Sequence, residues 1–246
     1  MTSEVVAMTV AGVDSRSVES AAGALAEIIR AEVREVVVDP ASDSAAAVDQ
    51  LVAELTAPTA VLGVMSARAD GLDLSRAVLA RADRPVVVVP ADGWRRRRAI
   101  GRALLPLDGT PESAAAVSGT MSLLAEAGVD VVVLHVFDPD TVPQYWDHSG
   151  HAEQVWQSEF IARYCGQSPV RLELRNGVPG QSVADVAAAE DVDLIALGWS
   201  RNLEPGRART VRAILERAAV PVLLIPLAAS AAVSGAVDAR GQDERL

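Results

Sequence analysis

Apolar positions in this chain fall into short continuous runs separated by stretches of helical periodicity, and the two kinds of segment alternate from end to end. The runs are Val5–Val13, Glu35–Val38, Thr59–Val64 and Pro85–Val89, followed by Arg102–Leu107, Val129–Val136, Val170–Leu174, Leu194–Gly198 and Val220–Ile225. Their continuous Val, Ile and Leu content predicts strands covered on both faces. Between them, Ser17–Glu32, Ala45–Thr56, Leu74–Ala82, Glu112–Ala127, Ala152–Cys165, Ser182–Ala189 and Arg207–Arg217 read as amphipathic helices. Regular alternation of the two predicts parallel βαβ units and therefore open, doubly wound α/β sheets.

The pattern occurs twice. Val61-Leu62-Gly63-Val64-Met65-Ser66, a helix and then Arg84-Pro85-Val86-Val87-Val88-Val89-Pro90 match Ile195-Ala196-Leu197-Gly198-Trp199-Ser200, a helix and then Val220-Pro221-Val222-Leu223-Leu224-Ile225-Pro226. Two matched blocks at a nearly constant offset, with Gly63 paired to Gly198, predict a tandem duplication. The first copy is about 30 residues shorter and lacks a counterpart of the segment between Asp138 and Cys165. The expected organisation is a shortened copy over residues 1–92, a full copy over 99–227 and a disordered tail over 228–246.

Composition narrows the function. All 22 basic residues are arginine. Without lysine there is no P-loop or kinase lysine and no pyridoxal phosphate Schiff base. A single cysteine, Cys165, excludes disulfides and cysteine-rich zinc sites and fits a reducing cytoplasm. The formal charge of −11 argues against nucleic-acid and membrane-surface partners. No apolar run approaches the ~20 residues of a membrane span, and the amino terminus lacks a basic leader. With only eight aromatic residues, the cores must be layers of small aliphatic side chains.

In open parallel sheets ligands bind at the carboxyl ends of the strands. In the second copy these ends are Pro106-Leu107-Asp108-Gly109-Thr110, His135-Val136-Phe137-Asp138, Arg175-Asn176-Gly177-Val178-Pro179 and Gly198-Trp199-Ser200-Arg201. Together with Asp193-Leu194-Ile195-Ala196-Leu197-Gly198 and the closing Val220–Pro226, this series resembles a universal stress protein domain over the whole of 101–227. Residues 1–90 look like an eroded second copy, carried by Gly12-Val13-Asp14-Ser15, Val61-Leu62-Gly63 and Arg84–Pro90. The resemblance implies two tandem Rossmann-like sheets, similar to those of the adenine nucleotide alpha hydrolase-like proteins, and a cytoplasmic stress-response protein that regulates by binding. It also implies an intramolecular pseudo-dimer in which Pro85–Pro90 pairs with Pro221–Pro226, with a homodimer or a further protein partner left open.

Some members of that family bind ATP. By resemblance, Pro106 and Asp108 stand near base and ribose, Val136 lines the adenine pocket, and Leu197 with Gly198 begins a phosphate loop of the form G-x2-G-x9-G-S/T. Here the loop runs Gly198-Trp199-Ser200-Arg201-Asn202-Leu203-Glu204-Pro205-Gly206-Arg207-Ala208-Arg209-Thr210. It is about three residues short, with Arg201 at the second glycine and Arg209 beside Thr210 near the last. Glycines in such loops let backbone amides approach phosphate, a conformation not expected of Arg201 or Arg209. Arginine side chains offer a forked alternative, so ATP, another anionic ligand and no ligand all remain open. Otherwise these arginines pair with acids such as Glu204 and Glu216 or face water.

Other groups invite a structural explanation first. Asp147-His148-Ser149-Gly150-His151-Ala152-Glu153 has metal-ligand residue types, but Asp147 or Ser149 as a helix cap with Glu153 in the first turn is the ordinary reading, so no metal is expected. It precedes the helix of Trp156, Phe160 and Tyr164 and is expected to lie over the cleft. His135 at a strand end and Cys165 at a helix end read as packing residues, and Arg95–Arg98 as a solvated linker. No G-x-S-x-G elbow, G-x-G-x-x-G or H-E-x-x-H is present, and no enzymatic mechanism is expected.

Overall fold

The structure is a computed structural model and describes residues 2–39, 43–67, 72–90, 94, 99–137, 150–202 and 208–227. Its first part runs β1 (Glu4–Val10), α1 (Arg16–Ile29), β2 (Glu32–Val38), α2 (Ser44–Thr56), β3 (Ala60–Ser66), α3 (Leu72–Arg81) and β4 (Val86–Val89). The second runs β5 (Arg102–Pro106), α4 (Pro111–Glu126), β6 (Asp130–Phe137), α5 (Gly150–Tyr164), β7 (Val170–Asn176), α6 (Pro179–Ala189), β8 (Leu194–Trp199), α7 (Arg209–Arg217) and β9 (Val222–Pro226). Every strand and helix expected from the pattern is present, with ends shifted by a few residues.

The nine strands form one sheet in the order β2-β1-β3-β4-β9-β8-β5-β6-β7. Neighbours are parallel within each copy, and the copies join through the antiparallel pair β4 and β9. Val86 faces Leu224, Val87 faces Leu223 and Val88 faces Val222, so the join is pseudo-symmetric about the central Val87–Leu223 pair. The first copy lacks an α5–β7 unit, which leaves β2 as its edge strand.

Helices α2, α3, α6 and α7 cover one face of the sheet and α1, α4 and α5 the other. Strand β4 shows why continuous apolar runs were needed. Val86 and Val88 enter the core of the first face, Val87 and Val89 that of the second, and none is more than 2% exposed. Burying each valine contributes about 1.5–3 kcal/mol relative to leaving it in water. An apolar strand left at a sheet edge would expose both these side chains and its backbone groups.

Hydrogen-bond register corrects the expected match between the copies. The Gly63 amide donates to the Pro85 carbonyl as the Ile195 amide does to that of Pro221, each at 3.0 Å. With Gly63 opposite Val86 and Ile195 opposite Val222, Gly63 is the counterpart of Ile195, and Ser66 that of Gly198. The two glycines also serve different faces. A Cβ on Gly63 would strike Leu55 and Met8, at 2.6 Å each, whereas one on Gly198 would press on Leu227 and on Ala116 of α4. A motif alignment sees two glycines in apolar strands; only the register separates them. The Arg95–Arg98 run, residues 147–149 and the 228–246 tail lie outside the described residues.

Candidate functional site

A cavity of about 650 Å³ opens at the carboxyl ends of β5, β6 and β8. This is where the strand order reverses around β5, and helices leave the sheet on both sides of the gap. Pro106, Asp108, Val136, Leu197, Gly198, Ser200 and Thr210 line it, seven of the nine positions singled out from the sequence.

Its floor is built by turn chemistry. Asp108 Oδ1 accepts from the Thr110 amide at 3.0 Å and from Thr110 Oγ1 at 2.7 Å, while Thr110 Oγ1 accepts from the Ser113 amide and caps α4. Gly109 between them has φ +81°, a conformation few other residues adopt, and it lies against His135 and Phe160. Asp14 Oδ1 accepts from the Arg16 amide in the same i to i+2 pattern, so the first copy keeps this turn.

One wall is aromatic. Trp156 and Phe160, one turn apart on α5, stack with ring centroids 4.9 Å apart, and Phe160 meets Tyr164 a turn further at 4.8 Å. His135 packs among Phe137, Trp156 and Phe160 at 4.7 to 5.2 Å. Its Nδ1 lies 2.9 Å from the Leu107 carbonyl, which can only accept, so Nδ1 carries the proton and Nε2 is the titrating nitrogen. Burial holds its pKa below the usual histidine range, against the smaller upward pulls of the Leu107 hydrogen bond and the Asp108 charge. His135 thus links the ends of β5 and β6 by a hydrogen bond. Burial likewise pushes the Cys165 thiol, at the end of α5, up to about 11, as expected of a packing residue.

The opposite side presents helix starts. Residues at or next to the first turns of α4, α6 and α7 line the cavity: Gly109, Pro179, Ala208 and Thr210. The caps of α6 and α7, Val178 and Ala208, make no side-chain capping bond. Such first turns carry partial positive charge, although at α6 Pro179 has no amide hydrogen and the Gln181 amide donates to the Val178 carbonyl.

The arginines depart from expectation. Neither Arg201 nor Arg209 lines the cavity. Arg201 donates instead to Asp83, just after α3 of the first copy, rather than to Glu216. Its φ of 60° shows that it does adopt the left-handed conformation expected only of glycine, and Ala208 at φ 45° does the same. Helix position explains Arg209: it starts α7 with an exposed side chain, while its neighbour Thr210 turns inward. The arginine at the cavity is Arg163 of α5, which makes no ion pair among the described residues, with Glu159 one turn before it. The signal for this wall was the spacing of 156, 160 and 164, with 159 and 163 on the same stripe. No group of three or more metal-ligating side chains occurs among the described residues, and the expected Asp147–Glu153 cap falls largely outside them.

The chain is an open α/β sheet with its cleft at the switch point and helix starts facing it, the position at which sheets of this class hold ligands where they bind any. Residues 99–226 match the Universal stress protein family, and the chain belongs to that family. A comparison with curated proteins finds no match. Among solved structures, it is similar to a Pseudomonas aeruginosa UCBPP-PA14 protein assigned to the universal stress proteins, at 14% identity and TM-score 0.67 over 92% of this chain and 94% of that one. A universal stress protein from Archaeoglobus fulgidus matches at 15% identity and TM-score 0.58, over 92% and 87%. Both likenesses span the two copies and concern the fold. No helix among the described residues is long and apolar enough to cross a membrane.

Proposed function

We propose that this is a cytoplasmic regulatory protein that acts by binding, without catalysis, and that its second copy takes a ligand carrying a flat ring and an anionic group, of which an adenine nucleotide is the best-fitting class. The observation that carries this reading is the cavity, with an aromatic wall on one side and Arg163 and three helix starts at its edges. Its volume lies within the range of small-molecule sites. The left-handed backbone at Arg201 favours it further, because it is the conformation for which a glycine was expected at that position. His135, with Nδ1 bonded to a carbonyl and its ring packed among three others, supports a positioning role over acid–base work. In this reading the first copy is a built-in dimer partner, supplying through β4 the strand that covers β9.

The test is thermal unfolding with adenosine, AMP, ATP and cyclic AMP, with and without Mg²⁺. A ligand at a hundred times its Kd stabilises by about 2.7 kcal/mol, which for a chain of this length raises Tm by roughly 5–10 °C. Val136→Trp, which fills the cleft, should abolish the shift, and Arg163→Met should weaken it for phosphorylated ligands. Absence of a shift with every nucleotide would overturn the reading and leave regulation through a protein partner.

A further inference from the structure

We infer that Asp83, a residue of the first copy, sets the charge selectivity of the cavity in the second by holding Arg201 away from it. The inference rests on the nucleotide reading above and adds a regulatory contact to that site. It follows from the antiparallel join. Because β4 and β9 run in opposite directions, the turn entering β4 lies beside the loop leaving β8. Asp83 stands in that turn and Arg201 in that loop, and the Arg201 guanidinium donates to Asp83 Oδ1. Among ion pairs with both partners described, this is the one that joins the copies.

Arg201 adjoins Ser200, which lines the cavity, while its own guanidinium is paired with Asp83 and does not line it. The Asp83 side chain is 84% exposed. A pair so open to water shifts an equilibrium by only about two- to five-fold. A phosphate carries more charge than a carboxylate and can take the guanidinium through two parallel hydrogen bonds, where Asp83 accepts one. A phosphorylated ligand therefore competes with Asp83 for Arg201, while an uncharged nucleoside does not. The acidic side chain of the first copy thus takes the Arg201 hydrogen bond that a phosphate would take, and ligand binding loosens one contact between the copies.

Calorimetric titration of the full chain with adenosine and AMP tests this, using wild type, Asp83→Asn, Asp83→Ser and Asp83→Asn with Arg201→Gln, each checked for folding by circular dichroism. Both single variants should bind AMP about two- to five-fold more tightly. Adenosine affinity should stay the same, and Arg201→Gln should cancel the gain. AMP binding unchanged by Asp83→Asn and Asp83→Ser, or a gain shared equally by adenosine, overturns the inference and leaves the nucleotide reading standing. If neither ligand binds any of the proteins, the nucleotide reading fails and takes this inference with it.

Discussion

Gly180 is the second residue of α6 and is buried where α6 crosses the start of α7. A Cβ built there would lie 2.6 Å from the Ala213 Cβ, 3.2 Å from the Thr210 carbonyl oxygen and 3.5 Å from the Thr210 Cα. None of these atoms is the free end of a flexible side chain: one is a methyl fixed to α7, and the others are α7 backbone. Carbon atoms in contact sit about 3.5–4.0 Å apart, so Gly180→Ala requires the two helices to separate by about 1 Å. Alanine's helix preference returns at most about 1 kcal/mol, and less in a first turn. Overpacking of this kind costs about 1–3 kcal/mol. The expected net loss is about 1–2 kcal/mol, a fall in Tm of roughly 2–8 °C for a chain of this length. The displaced element carries Thr210 and Val211 into the cavity wall, so nucleotide affinity should fall as well. Urea unfolding of Gly180→Ala, Ala213→Gly and the double variant measures the coupling. Ala213→Gly alone should cost about 1 kcal/mol through lost helix propensity. Combined with Gly180→Ala it clears the methyl overlap, so the pair should be less destabilised than the sum by about 1 kcal/mol. A Gly180→Ala protein as stable as wild type, or strictly additive effects, would refute the close-approach argument.

Three further outcomes are expected. Because burial holds the folded pKa of His135 below its unfolded value, the unfolded chain binds the extra proton first. Stability should therefore be intact above about pH 6.5 and decline as pH falls below it toward the depressed folded value; His135→Asn should flatten that part of a Tm-against-pH curve, and an unchanged slope would remove His135 as its source. With its pKa near 11, Cys165 should react with a thiol reagent at pH 8 only slowly in the native state and at once in denaturant; rapid native labelling would contradict its burial. A fragment spanning 99–227 exposes the β9 edge that β4 covers in the full chain; it should dimerise or aggregate in light scattering, and a well-behaved monomer would show that β9 needs no partner.

Much of the fold was legible because its causes are local. Four consecutive valines at 86–89 can be buried only if both faces of their strand are covered, and the alternation of such runs with helical periods leaves a parallel α/β sheet as the economical arrangement. That Pro106, Asp108, Val136, Leu197 and Gly198 lie together at one edge of the sheet was legible for the same reason, since strand direction places them there, and all five line the cavity. The spacing of Trp156, Phe160 and Tyr164 was visible too, although nothing local said that their stripe would face the cleft.

What only the tertiary structure decided concerns register and reach. Whether Gly63 answers to Gly198 or to Ile195 depends on which carbonyl receives which amide across two strands, information that a residue pattern does not hold. The direction taken by Arg201 depends on Asp83, distant in sequence and brought near by the antiparallel join. Its left-handed backbone goes against a residue preference of only about 1–2 kcal/mol, which neighbouring contacts can override. The sequence by itself determined two βαβ copies, the strand-end positions and the absence of lysine and disulfide chemistry. The structure decided which arginine reaches the cavity, because a long flexible side chain goes where the nearest acceptor and the available space direct it, and both are set by elements far away in the chain.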